Sequence, residues 1–304
     1  MPALAALLCM IVAACGGRAD DSVRDSATGF SGTAAYEYAR AQLEFGPRVP
    51  GTEGWQKTGD FLVAKLSESA DTVVEQRWNH TTDAGGTIPM RNIIARFRPE
   101  MQERVLYVAH WDTRPTSDAA DSVADRPNPV PGANDNAGGV GLLLALADVL
   151  KGSPPAYGVD ILLVDGEDYG DFDRMTDVLI GSTYFVANLP DSGYRPIFGV
   201  VWDMIGDRDL RIRQEIHSLN GAPEVVARVW NLAADRGLSH VFVPEPGITI
   251  TDDHLPLLRA GLRVIDVIDI DYEHHHKPTD TMDKISPASL QMVGDVAAAL
   301  VLSR

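Results

Sequence analysis

Four apolar runs dominate the chain: VLYVA (105–109), DILLV (160–164), FGVVW (198–202) and LRVIDVI (262–268), all separated by segments with helical spacing. Strands that are apolar at successive positions have no water-facing side, so a sheet built from them must be covered by helices on both faces. The expected fold is therefore α/β: a single domain with a mostly parallel, mixed β-sheet flanked by helices on both faces. Strands are expected at Thr72 to Trp78, Arg91 to Phe97, Val105 to Ala109, Val159 to Val164, Ile197 to Trp202 and Leu262 to Ile268. Helices are expected at Thr33 to Glu44, Thr52 to Ser69, Ala137 to Leu150, Leu179 to Asn188, Pro223 to Arg236, Asp253 to Ala260 and Pro287 to Leu302. The stretches Asp112 to Asn136 and Tyr169 to Asp177 are long for α/β connections, usually about 2 to 6 residues, and loops of that kind at strand ends carry function.

Charge removes one class of partner. The chain has 26 Lys and Arg against 43 Asp and Glu, a formal charge of −17, and an acidic surface repels a polyanion, so nucleic acid is not expected as a ligand. Both cysteines, Cys9 and Cys15, fall in the first fifteen residues, so a mature domain lacking them has no disulfide and depends on packing. Met1 to Cys15 is uncharged and shorter than the roughly 20 residues that span a bilayer, which reads as the apolar part of a secretory signal. Its last four residues, Val12-Ala13-Ala14-Cys15, resemble a bacterial lipobox. The expectation is a signal over 1–15 with Cys15 as the mature N-terminus, a tether over 16–30 and a catalytic domain over 31–304. The product would be exported, lipid-anchored or periplasmic, and would meet the membrane only through Cys15.

Acidic and histidine residues recur where the apolar runs end. VLYVA leads into His110-Trp111-Asp112, and Asn134-Asp135-Asn136 stands directly before a helix. DILLV leads into Asp165-Gly166-Glu167-Asp168, FGVVW into Asp203, and the last run holds Asp266 ahead of His274-His275-His276. In an open α/β sheet, ligands bind outside the carboxyl ends of the strands, so these groups converge on one crevice. Singly each has a plainer reading, Asp135 as a helix cap and His110 as a buried, hydrogen-bonded histidine. Together they demand a cation, and imidazole nitrogen mixed with carboxylate oxygen suits Zn²⁺.

The same residues carry a family resemblance. In collinear order, FGPRVPGTEG (45–54), NIIARF (92–97), AHWDTRP (109–115), PGANDNAGGVGLLLALA (131–147), LLVDGEDYG (162–170), LIGSTYF (179–185), VWDMIGD (201–207), TDDHLPLLRAG (251–261) and HKPTDTMDKIS (276–286) resemble the M28 zinc-peptidase clan. Within it they resemble the glutaminyl cyclases (glutaminyl-peptide cyclotransferases) of bacterial and animal type. The resemblance implies Asp135, Asp168 and His276 as ligands of a single catalytic zinc, and Glu167 as general acid and base. It implies Asp203 and Asp252 as the carboxylates that hold the substrate amine and orient its amide, with Trp202, His275 and Asp266 against the substrate. In the two-zinc aminopeptidases of the clan, His110 and Asp203 would take a second metal with Asp135 bridging, so the motif leaves one zinc or two.

The implied activity is conversion of the N-terminal Gln of peptides or proteins to pyroglutamate with release of ammonia; the alternative is hydrolysis by an M28 metallo-aminopeptidase. The turn Glu167-Asp168-Tyr169-Gly170 and the segment Asp252 to Pro256 look like the cyclase branch. The chain also departs from the family. His275 replaces a common aromatic residue, Asp168 a common Glu, Asp266 the His of the animal enzymes, and Asn136 a small residue.

Overall fold

The computed structural model describes residues 28–302. The segment expected as a signal and most of that expected as a tether lie outside those residues. Packing starts earlier than expected, because Phe30, read as tether, is buried against Gly294.

Two helices open the chain, α1 (Gly32–Leu43) and α2 (Glu53–Ser69). Each starts on a hydroxyl cap: Ser31 Oγ accepts from Ala34 N at 3.1 Å and Thr52 Oγ1 from Trp55 N at 3.3 Å. A hairpin follows, β1 (Thr72–Thr81) with β2 (Thr87–Phe97), and then β3 (Arg104–His110), α3 (Gly139–Gly152), β4 (Gly158–Val164), α4 (Ile180–Ala187) and β5 (Phe198–Asp203). The remaining elements are β6 (Ile212–Gln214), α5 (Ile216–Gly221), α6 (Pro223–Asp235), β7 (Phe242–Pro246), α7 (His254–Arg259), β8 (Val264–Ile268) and α8 (Pro287–Leu302).

Six strands form the main sheet in the order β1-β2-β4-β3-β5-β8. The four central and distal strands, β4, β3, β5 and β8, run parallel, while β2 is antiparallel to both β1 and β4. Alternate side chains split between the faces. Tyr107, Ile161, Val200, Trp202 and Ile265 point into the larger core under α1, α2, α3, α6 and α8, whereas Leu106, Leu162, Val201 and Val264 point into a smaller core with Phe185 of α4 and Leu257 of α7. Helices thus cover both faces of a mixed sheet. The short parallel pair β6–β7 was not expected from the sequence, since three to five residues without a long apolar run give little periodic signal.

The order of the strands locates the site. From β3 the chain crosses to β4 on one side; from β4 it crosses back over β3 to β5, and continues outward to β8. The reversal leaves a crevice at the carboxyl ends of β3 and β5, where ligands collect in such sheets. The last residues of these two strands are His110 and Asp203.

Candidate metal centre

His110 and Asp203 face one another across that reversal, with His110 Nε2 at 3.4 Å from Asp203 Oδ1. Asp135 completes the group: its Oδ1 is 3.0 Å from His110 Nε2. Asp135 sits in the turn Ala133–Gly138, whose backbone leaves helical geometry at Asp135 and Asn136. The neighbouring asparagines stitch this turn to the end of β5. Asn134 accepts from Gly206 N and donates to Met204 O, while Asn136 donates to Trp202 O and accepts from Gly139 N. A small residue at 136 would lose both bonds. Gly139 is required in the same place, because a Cβ there would collide with Asn136 Oδ1 and Trp202 O.

Asp135 Oδ2 looks the other way, 3.8 Å from His276 Nε2, and His276 Nε2 is 3.2 Å from Asp168 Oδ1. Two clusters therefore share Asp135. His110, Asp135 and Asp203 bring three ligand atoms within 4.8 Å of one another, as do Asp135, His275 and His276. Asp168 stands beside the second cluster, its Oδ1 paired at 2.9 Å with Arg114 Nη1 and its Oδ2 buried without a hydrogen-bond partner. His110 Nε2 and Asp203 Oδ1 are likewise buried without a well-directed partner. Buried polar atoms left unpaired by protein are costly unless something else satisfies them. Imidazole nitrogens and carboxylate oxygens converging in this way fit a zinc ion.

Outer residues hold these groups. Asp112 Oδ1 and Oδ2 accept from Glu167 N and Asp168 N, both at 3.2 Å, and Oδ1 lies 3.5 Å from His110 Nδ1. Asp280 accepts from Asn134 N at 2.9 Å, Asp135 N at 3.1 Å and the Tyr272 hydroxyl at 2.6 Å. The buried Arg48 guanidinium donates to the carbonyls of Trp111, Pro131 and Gly132, tying the two ends of the loop after β3 together. Sequence reading gave Asp280 and Arg48 no such role; their signal was position alone, Asp280 four residues past His276 and Arg48 inside FGPRVPG.

A cavity of about 630 Å³ opens over these groups. Asp135, Glu167, Asp168, Asp203, Asp252, His275 and His276 all line it, together with an apolar wall of Ile248, Ile250 and Ile270 and the ring of Phe172. Burial raises Glu167 well above the ordinary carboxyl range, and the carboxylates of Asp168, Asp252 and Asp253 add to this against the opposing charge of His110. Burial also brings Asp203 up to about 7 despite the His110 imidazole beside it. His110 is raised well above the usual imidazole value, since its contacts with Asp112, Asp135 and Asp203 outweigh burial. A bound cation replaces such protons, because ligating carboxylates are ionised and ligating imidazoles neutral.

Four residues fall outside the expected arrangement. Trp202 is fully buried in the larger core, its ring edge-on to Tyr107 at 5.4 Å between centroids, and does not line the cavity. Side chains alternate along a strand, so if Asp203 reaches the cavity, Trp202 points beneath it. Asp266 lies inside β8 opposite Val201, buried below the cavity floor, with its Oδ2 3.7 Å from His254 Nδ1 and its carboxyl within hydrogen-bonding reach of Asp252. Direct contact between substrate and Trp202 or Asp266 is thus corrected to a supporting position behind Asp203 and Asp252. Asp165 also turns away from the cavity, accepting from Trp55 Nε1 and Arg91 N, and the His274 ring bonds to Thr279 Oγ1 at the surface.

The chain belongs to peptidase family M28, whose model matches residues 92–301. Among solved structures, a glutaminyl cyclase from Bacteroides thetaiotaomicron, crystallised with N-acetylhistamine, is similar with a TM-score of 0.87 and 34% identity, covering 90% of this chain and 98% of that one. One from Porphyromonas gingivalis gives a TM-score of 0.85 and 36% identity over 88% of this chain and 96% of that one. Aminopeptidase YwaD of Bacillus subtilis is 27% identical over 268 residues, 84% of this chain and 53% of that protein. The chain spans about half the length of that curated relative and 32% of the length of a second, the alkaline phosphatase isozyme conversion protein of Escherichia coli.

Proposed function

We propose that this chain is a zinc-dependent glutaminyl-peptide cyclotransferase that converts an N-terminal glutamine to pyroglutamate and releases ammonia. The observation that carries the reading is Glu167, a buried carboxyl with raised proton affinity, in the wall of the same cavity as Asp203 and Asp252. Likeness to bacterial glutaminyl cyclases over nearly their whole length supports it.

In this reaction the α-amine attacks the carbon of its own side-chain amide, a five-membered lactam closes and the amide nitrogen leaves as ammonia. Asp135, Asp168 and His276 would hold the zinc, which when bound polarises the amide carbonyl as a Lewis acid. Asp203 and Asp252 accept hydrogen bonds from the substrate amine and hold it close, which suffices for an intramolecular attack. Glu167 takes the proton from the attacking nitrogen and returns it to the departing one; a carboxyl with pKa raised towards the working pH can do both in one turnover. The acidic cavity favours a cationic peptide or protein N-terminus.

A second reading, M28 aminopeptidase, is favoured by the cluster of His110, Asp135 and Asp203, which offers a second cation position. Mass spectrometry of a Gln-initiated peptide separates the two. Loss of one ammonia from the intact peptide supports the cyclase; release of free glutamine supports the peptidase and overturns the first reading.

The sequence from Met1 to Cys15 supports export with a lipid anchor at Cys15. Incorporation of labelled palmitate that disappears in Cys15→Ala is the expected result, and an unlabelled wild type rules the anchor out. No described helix is long and apolar enough to cross a membrane.

A further inference from the structure

Arg114 leaves the end of β3 two residues after Asp112 and buries its guanidinium in the cavity wall. Its Nη1 donates to Asp168 Oδ1 at 2.9 Å, and its Nη2 to Asp118 Oδ2 at 2.7 Å. Asp118 also accepts from Arg114 Nε at 2.9 Å and turns the same Oδ1 towards His276 Nδ1, 3.6 Å away. His276 Nε2 in turn lies 3.2 Å from Asp168 Oδ1. The four side chains form a closed ring, Asp168–Arg114–Asp118–His276, and the ring of Phe172 lies 5.6 Å from the Arg114 guanidinium carbon, sealing its outer side.

Resting on the reading of Asp168 and His276 as zinc ligands, we infer that Arg114 and Asp118 are positioning residues that fix those two ligands relative to each other and set how tightly the chain holds its metal. A guanidinium does this well, because its planar fork constrains both distance and direction, which a lysine ammonium does not. Asp118 stands in the corresponding place for His276, its carboxylate 3.6 Å from the ring nitrogen opposite the ligating one, where negative charge favours a proton on that nitrogen and leaves the other free for the metal.

Two effects of Arg114 oppose each other. A cation close to the site repels a second cation, which alone would weaken metal binding. Asp118, bidentate on the same guanidinium, cancels most of that charge locally, so orientation prevails. Removing outer partners of metal ligands typically costs roughly 10- to 100-fold in metal affinity.

The test is zinc affinity of the whole chain, read by competition with a fluorescent chelator. Arg114→Gln should raise the zinc Kd by about 10- to 100-fold and Arg114→Lys by an intermediate factor, with turnover returning towards wild type as zinc is added in excess. Asp118→Asn leaves the guanidinium in place and sits on the accessible side of the ring, so it folds as wild type does; its Kd should rise by about 10-fold. Asp168→Ala and His276→Ala serve as references and should lose zinc altogether. Unchanged Kd in both Arg114→Gln and Asp118→Asn, with zinc lost in the references, overturns the positioning role while leaving the ligands in place. Tighter binding in Arg114→Gln overturns it too, because charge would then outweigh orientation. Wild-type zinc content in the references removes the ligand reading and the inference together.

Discussion

The carboxylate of Asp135 stands between two histidines, with Oδ1 at 3.0 Å from His110 Nε2 and Oδ2 at 3.8 Å from His276 Nε2. One side chain thus belongs to both clusters, and the two positions differ in their other members. His276 adjoins Asp168, whereas His110 adjoins Asp203.

Metal content should report this difference. His276→Ala is expected to lose the zinc that supports turnover, while His110→Ala should keep it at close to one ion per chain. Elemental analysis of purified protein gives the answer, and equal loss in both variants would mean that the two positions fill together. Chelation should abolish activity yet leave the circular dichroism spectrum intact, since the two apolar cores that hold the sheet are built without these residues.

Glu167→Gln should bind zinc and substrate but turn over about 10²- to 10⁴-fold more slowly, the usual contribution of a positioned proton carrier. Ammonia release under saturating Gln-peptide measures it. A rate within a few-fold of wild type would assign the proton transfer to another group.

Asp280 holds the Asp135 turn by accepting two backbone N–H groups and the Tyr272 hydroxyl. Asp280→Ala leaves those donors buried and unpaired, which costs about 1–3 kcal/mol for the most poorly served of them. We expect a lower denaturation midpoint together with weaker zinc binding. Tyr272→Phe removes one of the three bonds and should show a fraction of both effects.

Away from the metal centre, burial brings Asp269 up to about 7, reinforced by the carboxylates of Asp207 and Asp271 and opposed by hydrogen bonds from Arg211 N and Asp271 N. Its ordinary value is 3.8, so in the interval between the two the folded chain keeps a proton that the unfolded chain has lost. Unfolding therefore releases a proton there, and stability falls as pH rises. At about 1.4 kcal/mol per pH unit this group removes on the order of 3 kcal/mol between pH 4 and pH 7 and only a few tenths of a kcal/mol above that. Asp269→Asn should flatten the corresponding part of a urea-denaturation series against pH; an unchanged slope would place the pH dependence elsewhere.

Much of the fold can be read in the sequence because its strands are long apolar runs and its helices end on recognisable boundaries. The expected helix Thr52 to Ser69 matches Glu53–Ser69 beyond its cap, and the expected strand Val159 to Val164 lacks only Gly158. Short elements escaped, among them α5 and the β6–β7 pair, because they are held by tertiary contacts such as Glu215 accepting from Ile250 N and Ser218 Oγ accepting from Asp266 N. At the site, residues that end a strand or open a helix were legible. Trp202 and Asp266 were placed wrongly for different reasons: Trp202 takes the opposite face of β5 from Asp203, whereas Asp266, paired with Val201 on the face of Asp203, lies one pleat deeper than the strand end. Trp202 next to Asp203, and Asp266 two residues short of the end of β8, both require counting along the pleat. Asp112, Arg48 and Asp280 act on backbone groups far away in sequence, and no local pattern encodes that.

The described chain begins strapped to its own last helix. Gln291 accepts from Gly32 N and donates to Phe30 O, Thr28 Oγ1 bonds to Asp295, and Phe30 fills the space left by Gly294 on α8. Should the protein hang from its N-terminal side, any pull enters through this strap and passes into α8 and α1. From α1 it reaches the site itself, because Gln42 donates to Ala137 O in the turn that carries Asp135 and Tyr36 donates to Met282 O in the segment after β8, so tension on the N-terminal side is felt where the two clusters meet.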